Sequence, residues 1–492
     1  MFNAISENAV ELLAESVLEV LEKVGFMAES REILKAYEDA GAQVDYEKQS
    51  AKFPRKVISD FIDGIRSENK EEWEKEILSQ GENRETMYSG YHPYGEANEF
   101  KTPTIPYMFH NLSTYFYDDE KKERRPGNKA DFITLIKMGD SLHPENGVGH
   151  ALNLMDTHSE VEPIEAALVE LEYSKNPRGV YVHDVRQIPY LMEMEEIFGI
   201  KDPYWHWMAN ICCNSPLKLD KTVCERFVYT FKTGIYPAKL AAMPVAGVNM
   251  PVTTSGSVVI VAAEFIAVWL AARLIAGKKI PLTGMPIQGT MDMRSGNVSF
   301  TAFDATISRL AVCDFIKKWT GIRLAPGPGE FSPTKVPGLY CALEKAYFAM
   351  TAAAFTGYHP ELGVGHIDSG LTISPVQLLL DIEYSKALKF LEQPLITKES
   401  IGLDNILKIN FGLSENYAIS DHTIDNMFTA SWSPDLISRN GWSPEIEKSS
   451  FEKAKKKVAE LIAAYKKPEG NEDKVKCAKE VLEKAKKELV RK

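Results

Sequence analysis

Apolar and polar positions alternate most regularly between residues 239 and 297. An apolar run at 240–246 gives way to a Gly/Pro loop, then to a helix-length apolar stretch at 257–275 and a second apolar run at 280–286. This order predicts a strand, a helix and a strand. The helical stretch is apolar on nearly every face and ends at Gly277, just before Lys278 and Lys279, so it belongs inside a large α/β domain. The polar loops 247–256 and 288–296 follow the strands, which is where an α/β barrel carries its chemistry.

The rest of the chain extends this rhythm in both directions. Apolar positions three and four apart predict amphipathic helices at 5–24 and 30–40, strand-like pieces follow at 44–46 and 51–53, and Pro54 opens a helix over 54–66. Residues 1–80 therefore read as an α-rich cap. Residues 88–117, rich in aromatics and without helical period, read as a β-rich layer. From 131 to 411, strand-like segments are predicted at 147–154, 179–183, 205–213, 240–245, 280–285, 323–326, 363–368 and 407–411. Helices are predicted between them at 163–174, 187–198, 220–233, 257–276, 302–319, 339–356 and 375–391. Strands alternating with helices in this way describe a (β/α)8 TIM barrel. The predicted organisation is an N-terminal cap and β-rich layer at 1–125, a barrel at 126–443, and a C-terminal helical tail at 444–492, broken near Pro468 and Gly470.

One repeat lies inside this pattern. HPENGVGH at 143–150 and HPELGVGH at 359–366 each precede a helix ending in Glu-Tyr-Ser-Lys, at 172–175 and 383–386. These would be strands one and seven, separated by strand eight. Shared βα turn chemistry accounts for the repeat as well as a structural echo does.

Composition narrows the function. A net charge of −12 over 492 residues argues against an electrostatic nucleic-acid binder, leaving small molecules and proteins as expected partners. Residues 1–30 lack the charged start and apolar core of a leader, and the stretch closest to a membrane span, 257–272, contains Glu264. A cytoplasmic location is expected. The six cysteines form no C-x-x-C pair, as expected of reduced core thiols.

Four kinds of chemistry bear on the residues. His143, Glu145, His359 and Glu361 repeat a His-x-Glu pair, but two-residue spacing on a loop is no metal signature, and no metal is expected. No G-x-S-x-G elbow follows a strand, and Cys212 and Cys213 have no base beside them in sequence. The Gly-Pro-Gly at 327–329 and the 254–256 loop lack phosphate-loop spacing. The remaining possibility is an aromatic pocket for an N-methylated cation, drawn from Tyr181, His183, Trp205, Trp207, His150, His366 and Phe411 on predicted strands. Asp292, Glu330, Glu361 and Asp368 in predicted loops could supply charge, and Arg294 could grip a carboxylate. Aromatic residues on such strands also commonly fill core layers.

Several longer motifs occur in order along the chain. They are LLAESVLEVLEKVGF near the N-terminus, AGAQVDYEKQSAKFP, SPLKLD at 215–220, MPVAGVNMPVTTSG at 243–256, MDMRSG at 291–296, GHIDSGLTISPVQLLLDIE at 365–383 and HTIDNM at 422–427. With them the chain resembles the trimethylamine methyltransferase superfamily of corrinoid-dependent enzymes. The resemblance implies a barrel that moves a methyl group from an N-methylated amine to the cob(I)alamin of a separate corrinoid protein docked over its mouth. No covalent nucleophile on the enzyme is then required, and Asp292 and Arg294 would line the mouth as motif residues. Trimethylamine members carry a pyrrolysine, expected around 325–332, where this chain has only standard residues. It therefore resembles the branch without pyrrolysine, which demethylates quaternary amines such as glycine betaine. The HPENGVGH stretch matches no motif of the family. Alternatives are a trimethylamine or other methylamine donor, a metal-dependent barrel enzyme, or a silent protein that binds betaine or corrinoid protein without turnover. A homo-oligomer is also expected.

Overall fold

The computed structural model describes residues 3–490 except 69–111, 146, 202–204, 207–209, 235–238, 328, 330, 357–361, 364, 391–395 and 414–415. The fold is mixed α/β. At the N-terminus the helices Glu7–Lys23, Arg31–Asp39 and Arg55–Arg66 surround the short strands Phe26–Ala28, Gln43–Asp45 and Ser50–Lys52, close to the predicted positions. This cap packs on the helix Thr254–Ala276, to which the Tyr37 hydroxyl donates at the Ala267 carbonyl over 2.9 Å. The predicted β-rich layer falls mostly outside the described residues. Its described end forms a hairpin of Tyr115–Asp118 with Glu123–Pro126.

Thr254–Ala276 is long and apolar enough to cross a bilayer, yet 72% of its most apolar window is buried inside the protein. Helices Glu7–Lys23, Lys221–Thr233 and Phe303–Thr320 cover it. The Thr253 side chain caps its start by accepting from the Gly256 amide, and Gly277 ends it with φ 63, a conformation a Cβ would oppose.

The helices pack in a circle. Lys129–Leu142 lies against Glu162–Tyr173, which lies against Ile188–Phe198; the turn Val185–Gln187 at the head of that helix touches Lys221–Thr233. Thr254–Ala276, Phe303–Thr320, Leu339–Thr356 and Pro375–Lys389 follow in sequence, and Pro444–Ala464 packs on both Pro375–Lys389 and Lys129–Leu142 to complete the circuit. Inside it, strand pieces are joined laterally. Asn210–Cys213 pairs in parallel with Lys239–Ala242, and this strand pairs in parallel with Met285–Pro286. The Ala325 amide donates to Gly284, Val180 to Trp205 and His150 to Gly179, extending the same neighbour order without regular ladders. Alternation along Asn210–Cys213 matches a sheet with two different faces. Ile211 and Cys213 join the helix-facing core, while Cys212 packs toward Ala241, Met285 and Phe331 on the inner face.

The predicted eighth strand at 407–411 is not a strand. Leu403–Lys408 is helical and Phe411 lies in a short 3-10 turn with φ 55. The segment beside both repeat copies comes instead from earlier in the chain. Ser113 bridges Leu152 beyond the first copy, and Tyr115 and Phe116 pair with Thr372 and Ile373 beyond the second. The helices that follow the two copies each carry a buried acid. Glu170 and Asp381 each stand two residues before the repeated Glu-Tyr-Ser-Lys ending, each is buried, and each accepts a glycine amide, from Gly179 and Gly365 respectively. Burial raises both carboxyls above their ordinary values. The repeated ending thus belongs to helices that fasten ring segments.

The predicted C-terminal tail forms Pro444–Ala464 and Glu472–Leu489, the second lying over Glu162–Tyr173 and Ile188–Phe198.

Candidate functional site

Two charged clusters lie beside segments that lead into the circling helices. The first is built on Glu162, in the first turn of Glu162–Tyr173. One of its carboxylate oxygens lies 3.0 Å from His150 Nε2 and accepts the Leu154 amide at 2.8 Å. The Tyr181 amide donates to His150 Nδ1 at 3.2 Å, so Nε2 carries the proton that His150 donates to Glu162. The second Glu162 oxygen, Oε2, is buried and has no hydrogen-bond partner among the described residues, with His183 Nε2 paired to it at 3.6 Å. Burial works to raise the Glu162 carboxyl, but His150, His183 and the Leu154 amide outweigh it and hold the group below its ordinary value. The result is a carboxylate held toward its ionised form and nearly removed from solvent, with one oxygen facing His183. Beside it the His150 and Tyr181 rings stand 6.3 Å apart.

The second cluster is centred on Asp368. Its carboxylate is buried and paired with Arg124 and Lys335, whose own side chains remain 45% and 71% exposed. The Arg124 guanidinium rests 4.3 Å over the Tyr115 ring, and its Nε and Nη2 make no hydrogen bond to a described residue. Two cations on one carboxylate leave a net positive charge facing outward. Asp368, Ser369 and Gly370 follow one another with φ of 55, 57 and 85, a left-handed run held by the amides of Asp368 and Ser369 donating to Thr334 and Ser332. Non-glycine residues in this region cost energy, and such strain concentrates at functional sites.

Tyr181, His183 and Asp368 thus take part in these clusters. Trp205 is wholly buried in the helix-facing core with Val180 and Val182, and His366 is buried beside Ile373. Trp207, Glu330, Glu361 and His359 lie outside the described residues. Asp292 and Arg294 sit on the exposed turn between Gly289–Met291 and Val298–Ser299, where Asp292 accepts from the Arg294 amide and the Ser295 hydroxyl. Those bonds lower the Asp292 carboxyl. Phe411 is 95% exposed, in the turn that follows Leu403–Lys408. His143 and Glu145 approach to 3.6 Å, and among the described residues no group of three or more His, Cys, Asp or Glu is placed to hold a metal.

Glu162, Arg124 and Lys335 were not singled out by sequence. Glu162 is one of several acids near a helix start, and Arg124 falls in the charged turn KKERRP; only their spatial neighbours distinguish them.

A family model described as trimethylamine methyltransferase (MTTB) matches residues 106–490. No curated protein matches the chain.

Proposed function

Because this chain belongs to the trimethylamine methyltransferase family, we propose that its methyl donor is a betaine-like quaternary amine, demethylated to the cob(I)alamin of a separate corrinoid protein. The protein is a methyltransferase, and the family acts on methylamines with corrinoid proteins. The choice of donor is our reading of the site. It rests on the buried Glu162 carboxylate, whose Oε2 makes no hydrogen bond among the described residues and faces His183, with Tyr181 beside His150. A fixed negative charge among aromatic rings suits a cation that cannot donate hydrogen bonds. The unengaged donors of Arg124 suit a carboxylate at the other end of a zwitterion, which trimethylamine lacks. The standard residues at 325–332 accord with the branch without pyrrolysine.

We read the scaffold as a (β/α)8 barrel in which the 113–118 segment takes the first place and the piece after the second repeat, Thr372–Ile373, lies parallel beside it. The circle of helices and the lateral bonds support this. Val248, Val252, Met293, Phe303, Val336 and Tyr340 stand exposed at the pole where the helices start, and such an apolar rim fits the docking of a partner that brings its corrinoid.

The partner's cob(I)alamin supplies the nucleophile that takes the methyl carbon as the C–N bond breaks and its electron pair stays on nitrogen. The chain's residues bind and orient the donor. Glu162 attracts the cationic end, His150 fixes Glu162 through its Nε2 proton, and Arg124 with Lys335 hold the far end. The departing amine is neutral, so no residue need donate or accept a proton. The test is methylcobalamin formation from cob(I)alamin by the purified chain with glycine betaine, other betaines and trimethylamine. Turnover with a betaine and none with trimethylamine is expected; the reverse order would overturn the assignment.

A further inference from the structure

Two histidines flank the Glu162 carboxylate, and they are held differently. Nδ1 of His150 accepts the Tyr181 amide while Nε2 donates to Glu162, so this ring is neutral and stays neutral as long as both bonds hold. His183 approaches the other oxygen, Oε2, with Nε2 at 3.6 Å, just beyond hydrogen-bond range. Its backbone is fixed, because its amide donates over 3.1 Å to the side chain of buried Gln187, which in turn donates to the Glu160 carbonyl. Its side chain is 43% exposed and so exchanges protons with water, whereas the Glu162 side chain is 6% exposed.

Glu162 carries a single negative charge. A second cation brought to the same buried oxygen meets repulsion that nothing offsets. The other charged groups around this turn are engaged elsewhere. Asp184 and Arg186 pair with one another at 2.9 Å, and Glu160 accepts the Ser159 hydroxyl. Arg226, on Lys221–Thr233, donates to the Val182 carbonyl at 3.4 Å, and Glu195, on Ile188–Phe198, is paired with His206.

We propose that His183 is an internal competitor of the donor: its protonated ring closes onto Glu162 Oε2 and takes the place of the donor's cationic head, an inference that rests on Glu162 being the donor's subsite. When a quaternary amine enters, the imidazolium gives one proton to solvent and becomes neutral, so the charge beside Glu162 is unchanged. A quaternary ammonium has no N–H to offer Oε2, whereas the imidazolium supplies a charge-assisted hydrogen bond. The competition therefore favours His183 wherever its ring is protonated. Donor affinity then depends on pH although the donor's head has no proton to lose, and by reciprocity the bound donor opposes protonation of His183.

The test is isothermal titration of the full chain with glycine betaine at pH 5.5 and pH 8, each in two buffers of different ionisation enthalpy. It is run on the unchanged protein and on His183→Gln, with circular dichroism as a check on folding. For the unchanged protein, Kd should be roughly tenfold weaker at pH 5.5 than at pH 8, the span across which imidazoles change charge, and binding at pH 5.5 should release about one proton. A glutamine takes up no proton, so the variant should release none and show the same Kd at both pH values. Binding without proton release by the unchanged protein, or a pH dependence that survives in folded His183→Gln, would overturn the proposal and leave the Glu162 subsite standing. No binding of glycine betaine at pH 8 would remove the subsite and the competition together.

Discussion

Nζ of Lys345 lies 2.7 Å from an Asp381 carboxylate oxygen, and neither side chain reaches solvent. The pair is held on other sides: Asp381 accepts from the Gly365 amide at 3.0 Å and the Gln377 side chain at 2.8 Å, and Gln377 accepts from the Gly338 amide. A pair removed from water contributes little over an apolar replacement, but losing one partner strands the other. Lys345→Met should therefore destabilise the protein by about 3–5 kcal/mol. Lys345→Met/Asp381→Leu should recover part of that loss, measured by urea unfolding. Gly363 reports on the same place, since its φ is 109 and a Cβ there would meet Lys345 Cδ at 2.7 Å. Gly363→Ala should lower the unfolding midpoint as well.

Glu162→Gln keeps the shape of the side chain and removes its charge. If Glu162 holds the cationic end of the donor, kcat/KM for a betaine should fall roughly 10- to 100-fold, matching the ~1.5–3 kcal/mol of an interaction with a charged group. Tyr181 and His183 remain in place, so activity should not vanish. The folded-state carboxyl lies below its ordinary value, so the stability it contributes is present above the unfolded value near 4.5 and is lost as pH falls through the lower folded value. The Gln variant should show less of this acid-side loss in thermal melts. Unchanged kinetics with a betaine would remove Glu162 from the site.

Arg124→Gln tests the other end. The guanidinium is anchored at Asp368 through one nitrogen and lies on the Tyr115 ring, leaving two donors for a carboxylate. KM for glycine betaine should rise by roughly tenfold, the range of one charge-assisted contact at a partly exposed site. Tetramethylammonium, which has no carboxylate, should be affected far less. An equal loss for both compounds would mean that Arg124 only braces Asp368.

The helices were legible because each carries a sustained period and ends at a recognisable signal. Glu162–Tyr173, Lys221–Thr233 and Pro375–Lys389 fall within a few residues of their predicted positions. The strand-like segments are short apolar runs, and such runs do not declare their pairing. Hence 407–411, with Leu407, Ile409 and Phe411 alternating, reads as a strand although Leu403–Lys408 is helical. The segment at 113–118 reads as part of a separate layer because it continues an aromatic-rich run without helical period, yet it pairs with the piece following the second repeat. The candidate clusters were half legible. Tyr181 and His183 stand out as aromatic positions on a predicted strand, whereas the carboxylate between them and His150 comes from a helix start. Asp292 and Arg294 stand out as a motif, but Asp292 spends both oxygens on its own turn.

Glu264 gives the pH test with the clearest sign. It lies in the middle of the buried helix Thr254–Ala276, accepts the Leu217 amide at 2.8 Å and the Ser215 hydroxyl at 2.9 Å, and so ties the 215–220 loop to the core. Burial pushes its carboxyl up to about 7, and the two hydrogen bonds oppose that only in part. A group whose folded value exceeds its unfolded value binds its proton more tightly in the native state. Its contribution is therefore complete below the unfolded value near 4.5 and is lost as pH rises through about 7, after which it changes no further. The difference between the two limits is on the order of 3 kcal/mol. Glu264→Gln stays neutral throughout and can still accept from Leu217 through its amide oxygen. Urea unfolding at pH 5 and pH 8 should then show a stability gap in the unchanged protein that shrinks by this amount in the variant. An identical gap in both would mean that the Glu264 carboxyl does not change its protonation across this range.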